Sequence, residues 1–133
     1  MSLSKERLKE IYDNDKFATG CGIKIIESSP GYAKCAMKVT DKHINGLGTI
    51  MGGAVFTLAD YTFSVAANNH GNIAVSLNAF ISFIRACKEG TLYAVATETS
   101  RTRSTGIYQV TVTDESGNII ASVTGTCYFK TKS

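Results

Sequence analysis

Proline is nearly missing from this chain: one residue, Pro30, in 133. That excludes a proline-rich linker. Tryptophan is absent, and there are only two histidines, His43 and His70. The four cysteines, Cys21, Cys35, Cys87 and Cys127, form no CxxC pair, and neither histidine lies near one in sequence. A zinc site needs clustered ligands, so no metal site is expected. No apolar run approaches the ~20 residues of a membrane span, so no membrane partner is expected. The amino-terminal stretch MSLSKERLKE is charged and reads as no signal peptide. A cytoplasmic protein with reduced thiols is the expectation.

Charge of one sign is also in short supply. The net charge is +3, without the dense basic face that nucleic-acid binding calls for. What is present is apolar: hydrophobic residues make up 44%, too many for a disordered chain. With no internal repeat, linker or low-complexity segment, residues 1–133 read as a single domain.

The spacing of Leu8, Ile11 and Tyr12 predicts a surface helix over about 4–14. Residues 22–40 read as two strands around Ser29-Pro30-Gly31. Ala33, Cys35, Met37 and Val39 alternate there with Lys34, Ala36, Lys38 and Thr40. A loop over 41–53 carries four glycines, and a helix follows to about Asn68. Further strands are expected over 73–84, 91–101, 106–113 and 119–129, with a hairpin turn at Glu115-Ser116-Gly117-Asn118. The string α-β-β-α-β-β-β-β gives an α+β fold with a mainly antiparallel sheet.

Between Lys42 and Arg85 one charged residue occurs, Asp60. Its helix carries apolar residues on every side, so it is expected to be buried, wrapped by the sheet and by a neighbouring subunit. A lone carboxylate there is costly and is kept either for structure or for chemistry. Gly52-Gly53 opens the same helix. Free N–H groups at a helix start, approachable past glycine, form an oxyanion site. Asp60 lies ~12 Å further along the axis, so one helix cannot easily bring both to a single carbonyl; two copies in a dimer can.

At these residues the chain resembles the hotdog-fold thioesterases, in the branch of the phenylacetate-pathway enzymes. The run Asn45-Gly46-Leu47-Gly48-Thr49-Ile50-Met51-Gly52-Gly53, continued to Leu58-Ala59-Asp60, matches that branch without gaps. The strand Ala74-Val75-Ser76-Leu77-Asn78 through Phe83 and the hairpin around Gly117 extend the likeness to about residues 15–130. The resemblance implies a hotdog fold, a long central helix wrapped by an antiparallel sheet. It implies a homodimer or homotetramer with active sites at the dimer interface. It also implies an acyl-CoA substrate and no cofactor, since coenzyme A is part of the substrate. By the same resemblance, Gly52 donates the N–H that polarises the thioester carbonyl, and Asn45 helps hold that end. Asp60 of the partner subunit activates water or attacks directly, and Ser76 orients the water and the Asp. Met51 stands where the family usually has His, and Gly53 adjoins it. The family's Pro after the central strand is absent, since the chain reads Ile84-Arg85-Ala86-Cys87.

Arg101 and Arg103, two apart on an expected strand, share a face and offer an anchor for coenzyme A phosphates, or else a solvated strand end. Lys130, Lys132, Arg85 and Lys88 are further candidates. His43 reads as a surface or loop residue and His70 as part of the helix end. Phe56, Tyr61, Phe63, Phe80 and Phe83 read as core or dimer interface before acyl pocket, and the sequence does not sort which of them line a pocket. The cysteines read as buried small hydrophobes with no activated thiol. Three functions are compatible with these residues: an acyl-CoA thioesterase, a non-catalytic acyl-CoA-binding protein, which Met51 motivates, and a hydratase, for which a paired His is missing.

Overall fold

The computed structural model describes residues 5–130; Ser4, where the first helix was expected to begin, and Lys132 lie outside the described residues. Two short helices come first, α1 (Lys5–Asp13) and α2 (Lys16–Gly20). Strands β1 (Ile23–Ser29) and β2 (Tyr32–Lys38) form a hairpin, and a loop with one 3-10 turn leads to α3 (Gly52–Ala67). Strands β3 (Ala74–Phe83), β4 (Thr91–Arg101), β5 (Thr105–Thr113) and β6 (Ile119–Phe129) complete the chain. The six strands form one sheet in the order β1-β2-β4-β5-β6-β3, antiparallel throughout. This sheet curls around α3, as the resemblance implies. The helix α2 was not expected. Its five residues carry too few side chains for a period, and its one signal is the N-cap Asp15, which accepts a hydrogen bond from the Ala18 N–H.

Period-two alternation accounts for the core. Ala33, Cys35 and Met37 of β2, Leu92, Ala94 and Ala96 of β4, and Tyr108, Val110 and Val112 of β5 all face α3 and are fully buried. Small residues let the helix lie close. A Cβ at Gly125 would stand 2.7 Å from the Phe63 ring. From α1, Leu8 and Tyr12 turn inward while Ile11 stays exposed, because only an i, i+4 pair fits this docking face. Tyr12 Oη pairs with Ser64 Oγ (2.6 Å) and accepts from Asn68 Nδ2 (3.1 Å), fastening α1 to the second half of α3.

The helix is not covered on every side by its own chain. Gly53 is exposed, and Phe56, Thr57, Asp60 and Ser64 are half-buried, which leaves one stripe of α3 open. Beside it runs β3, an edge strand with Val75, Leu77, Phe80 and Phe83 exposed. Phe80 and Phe83 are therefore not core within one chain. The pairing of β3 with β6 slips between Ser76 and Asn78, leaving Leu77 as an extra, bulged residue.

Candidate active site

The loop before α3 is built to present the helix start. Asn45 Oδ1 accepts from the backbone N–H groups of Leu47 (2.9 Å) and Thr49 (3.2 Å), and Asn45 Nδ2 donates to Thr49 Oγ1 (3.2 Å). The chain then pins itself on both sides, with Ile50 N–H to the Cys87 carbonyl (2.8 Å) and Met51 N–H to the His43 carbonyl (2.7 Å). His43 is not a surface residue. It is buried, with Nδ1 accepting from Thr40 N–H (2.9 Å) and Nε2 facing the Cys21 carbonyl (2.8 Å). Since Nδ1 accepts, Nε2 carries the hydrogen and donates, so the ring ties the loop to the end of α2.

Met51 is the N-cap of α3 but offers no side-chain cap, and its side chain is exposed. The N–H groups of Gly52 and Gly53 find no acceptor among the described residues, whereas those of Ala54 and Val55 bond the Met51 carbonyl. Two orphan donors at the positive end of a helix dipole thus face outward. Gly52 borders a recess of about 280 Å³ lined by Thr49, Ile50, Phe83, Arg85 and Cys87. The Phe83 ring lies so near that a Cβ at position 52 would stand 3.1 Å from its Cζ.

Asp60 sits two turns further along, half-buried on the open stripe, with no hydrogen-bond partner among the described residues. Burial pushes its carboxyl above the usual carboxylate range, and the charge of Asp15 adds to the effect. It lines a cavity of about 90 Å³ together with Ser76, Ser64, Asn68 and Cys127. A second cavity, of about 300 Å³, meets Asp60 from the side of α2.

The candidate residues thus fall into two separate groups. Gly52 and Gly53 gather with the Asn45 loop, Met51 and Arg85; Asp60 gathers with Ser76. Arg101 and Arg103 join neither. Arg101 is the last residue of β4 and Arg103 lies in the turn beyond, so they do not share a strand face. The Arg101 Nε stands 3.7 Å from Glu98 Oε1. That carboxylate also receives the Tyr108 hydroxyl (2.8 Å) and His70 Nε2 (2.7 Å), just past the end of α3. Burial works to raise the Glu98 pKa, but these bonds outweigh it and the carboxyl is lowered. Arg85, which received less weight in the sequence, lines the Gly52 recess, and its charge also helps lower the carboxyl of Asp114. Its signal was its place directly after the strand that returns to the helix start. Cys35 and Cys127 are buried, with thiols pushed up by desolvation, Cys35 to about 11; Cys21 and Cys87 are only half-buried.

The thioesterase superfamily pattern matches residues 47–121, more than half of the chain and the whole of α3 with the five residues before it. The chain belongs to the thioesterase superfamily. It is a thioester hydrolase. A relative from Archaeoglobus fulgidus is 36% identical over 92% of this chain and 81% of its own length. The acyl-coenzyme A thioesterase PaaI of Escherichia coli is 34% identical over 86% of this chain and 83% of its own. The solved structure of E. coli PaaI superposes with a TM-score of 0.92 at 31% identity, covering 99% of both chains. Among the described residues, no helix of this thioesterase is long and apolar enough to cross a membrane. Nor are three of its His, Cys, Asp and Glu residues grouped as a metal ion would need.

Proposed function

We propose that the protein hydrolyses acyl-coenzyme A thioesters at sites shared between two chains. The observation that carries this reading is the pair of complementary half-sites on one helix: unbonded N–H groups at Gly52 and Gly53, and an unpartnered carboxylate at Asp60. Eight residues at 1.5 Å each separate them by ~12 Å, too far for one carbonyl. A two-fold pairing along the apolar edge of β3 joins Gly52 of one chain to Asp60 of the partner subunit, and the reverse. Dimers of this kind can pair again into a tetramer.

In the reaction, the thioester oxygen accepts from the Gly52 N–H, which stabilises the charge that forms there. Asp60 of the partner subunit takes a proton from water as the oxygen attacks the carbonyl carbon. The tetrahedral intermediate collapses, the C–S bond breaks, and thiolate leaves with its electron pair. Direct attack by Asp60, followed by hydrolysis of the resulting anhydride, reaches the same products. A raised carboxyl pKa makes the stronger base. Ser76, in the same small cavity as Asp60, orients the water. Asn45 acts through the loop, whose shape its amide sets, and Met51 and Gly53 flank the carbonyl. Arg85 is the first candidate for a coenzyme A phosphate, with Arg101 and Arg103 as alternatives reached from the other chain. The reaction requires no metal or cofactor. The E. coli PaaI relative, named for acyl-coenzyme A thioesters, supports the choice of substrate. The four free cysteines fit a reducing cytoplasm.

The test is a panel of acyl-CoAs followed by loss of thioester absorbance, with Asp60→Asn beside the native protein. Trapping released thiol is less clean, because the half-buried Cys21 and Cys87 compete for the reagent. Turnover that disappears with Asp60 supports the reading. Full turnover in Asp60→Asn overturns the role of Asp60, and tight binding without turnover favours a binding protein.

A further inference from the structure

The proposed reaction leaves the acyl group without a place, and Asp60 points to one. Asp60 lines two cavities, one shared with α2 and one with β3. The one that holds Ser76 is about 90 Å³, room for a few waters at ~30 Å³ each. The other is about 300 Å³ and is walled by Asp15, Phe17, Ala18, Phe56, Thr57 and Tyr61. That size reaches the lower end of small-molecule pockets, ~300–1,000 Å³.

We infer that the cavity between α2 and α3 receives the acyl group, and that Phe17 and Asp15 set which acyl groups fit. The inference rests on the thioesterase reading above. The reacting carbon must lie within one water of Asp60, so whatever it carries leaves past the walls that Asp60 shares. No Lys or Arg lines the α2 cavity, which makes it a poor seat for phosphates. Phe17, Phe56 and Tyr61 give it three aromatic walls, set among the polar side chains of Asp15, Thr57, Asp60 and Ser64, which suits a small ring or chain without negative charge. Phe17 is 71% exposed, a large ring with little of its own chain to pack on, directly beside a buried Ala18. Its position is held at both ends: Asp15 caps α2, and the Cys21 N–H bonds the carbonyls of Phe17 (3.0 Å) and Ala18 (3.1 Å). Asp15 also places a second carboxylate on this cavity besides Asp60. An acyl group ending in a carboxylate meets like charge there and is rejected.

The experiment measures kcat/KM for acetyl-, hexanoyl-, benzoyl- and glutaryl-CoA with native protein, Phe17→Ala, Phe17→Leu and Asp15→Asn. Phe17→Ala is expected to lower hexanoyl and benzoyl relative to acetyl about tenfold, the scale of lost apolar contacts in a pocket, and Phe17→Leu to restore part of it. Asp15→Asn, whose amide still caps α2, is expected to raise glutaryl relative to hexanoyl about tenfold. Variants that change every thioester by one common factor, or none, overturn the placement. Because Phe17 is exposed, its variants keep the native Tm, and a ratio between substrates is insensitive to a partly folded preparation. Failure of the reading on which this rests looks different: the native protein binds the panel without turnover, or Asp60→Asn hydrolyses every member at the native rate.

Discussion

Two variants that are each inactive are expected to restore activity to one another. Asp60→Asn removes the base, and general-base catalysis contributes ~10²–10⁴-fold. Gly52→Pro removes one N–H donor, and the loss of one such donor costs ~10²–10³-fold. The second change is mild for the fold. Gly52 is the first residue of α3, where proline is tolerated and its N–H has no helical partner to lose. Met51, at φ −62 and ψ 135, already holds the extended conformation that a residue before proline adopts. The atoms nearest the added Cβ belong to the ring of Phe83, a residue exposed within one chain, with Cζ at 3.1 Å. If each site takes Gly52 from one chain and Asp60 from the other, a mixed dimer holds one intact site and one that lacks both groups. Random pairing makes half of the dimers mixed, so about one quarter of the native sites return. Against parents reduced ~10²-fold, that is a rise of about 25-fold. The assay is thioester loss by the co-expressed mixture; purifying the mixed species through two affinity tags raises the returned fraction to one half, a rise of about 50-fold over the parents. A mixed dimer as inactive as its parents would refute shared sites and place both groups in one chain's chemistry.

Four other outcomes follow from the geometry. Burial raises the Asp60 pKa, so the folded protein binds that proton more readily than the unfolded chain, and the associated stability is lost as pH rises through the raised value; Asp60→Asn is expected to leave Tm unchanged or higher at pH 7 in a thermal melt. The base must be ionised to work, so activity falls as pH drops through that raised value, and Asp15→Asn, which removes the second cause, is expected to move the acid limb of the kcat/KM profile to lower pH. Gly125→Ala drives a Cβ to 2.7 Å from the buried Phe63 ring and is expected to cost about 1–3 kcal/mol in denaturant unfolding. Arg85→Ala is expected to raise KM for acyl-CoA about tenfold at low salt with kcat little changed, since a guanidinium that holds a phosphate adds uniform binding.

Most of the fold was legible because its signals are local and periodic. The buried triplets Ala33, Cys35, Met37 and Tyr108, Val110, Val112 alternate cleanly, and the Glu115–Asn118 turn carries Gly117 at φ 85 where a hairpin needs it. Asp60 stood out by isolation in an apolar run. What was not legible depends on partners distant in sequence. His43 lacked any local mark of burial, since its bonds go to Thr40 and, 22 residues away, to Cys21. Arg85 and Arg101 look alike in sequence; only the sheet order sends one to the start of α3 and the other beyond its end. The exposure of Phe80 and Phe83 follows from β3 standing at the edge of the sheet, which no single strand's pattern records.

The extra residue at Leu77 decides a question of parity. Ser76 pairs with Cys127 and Phe83 with Ala121, and both of those β6 partners point into the core. Residues directly opposite share a face, so Ser76 and Phe83 both look toward α3. Yet they are seven positions apart, an odd number, and on a regular strand odd spacing sends two side chains to opposite faces. Leu77 resets the count. Without it, either the hydroxyl beside Asp60 or the ring over Gly52 would turn to the outside. A one-residue deletion there would leave every named site residue in the chain and still take one of the two half-sites apart.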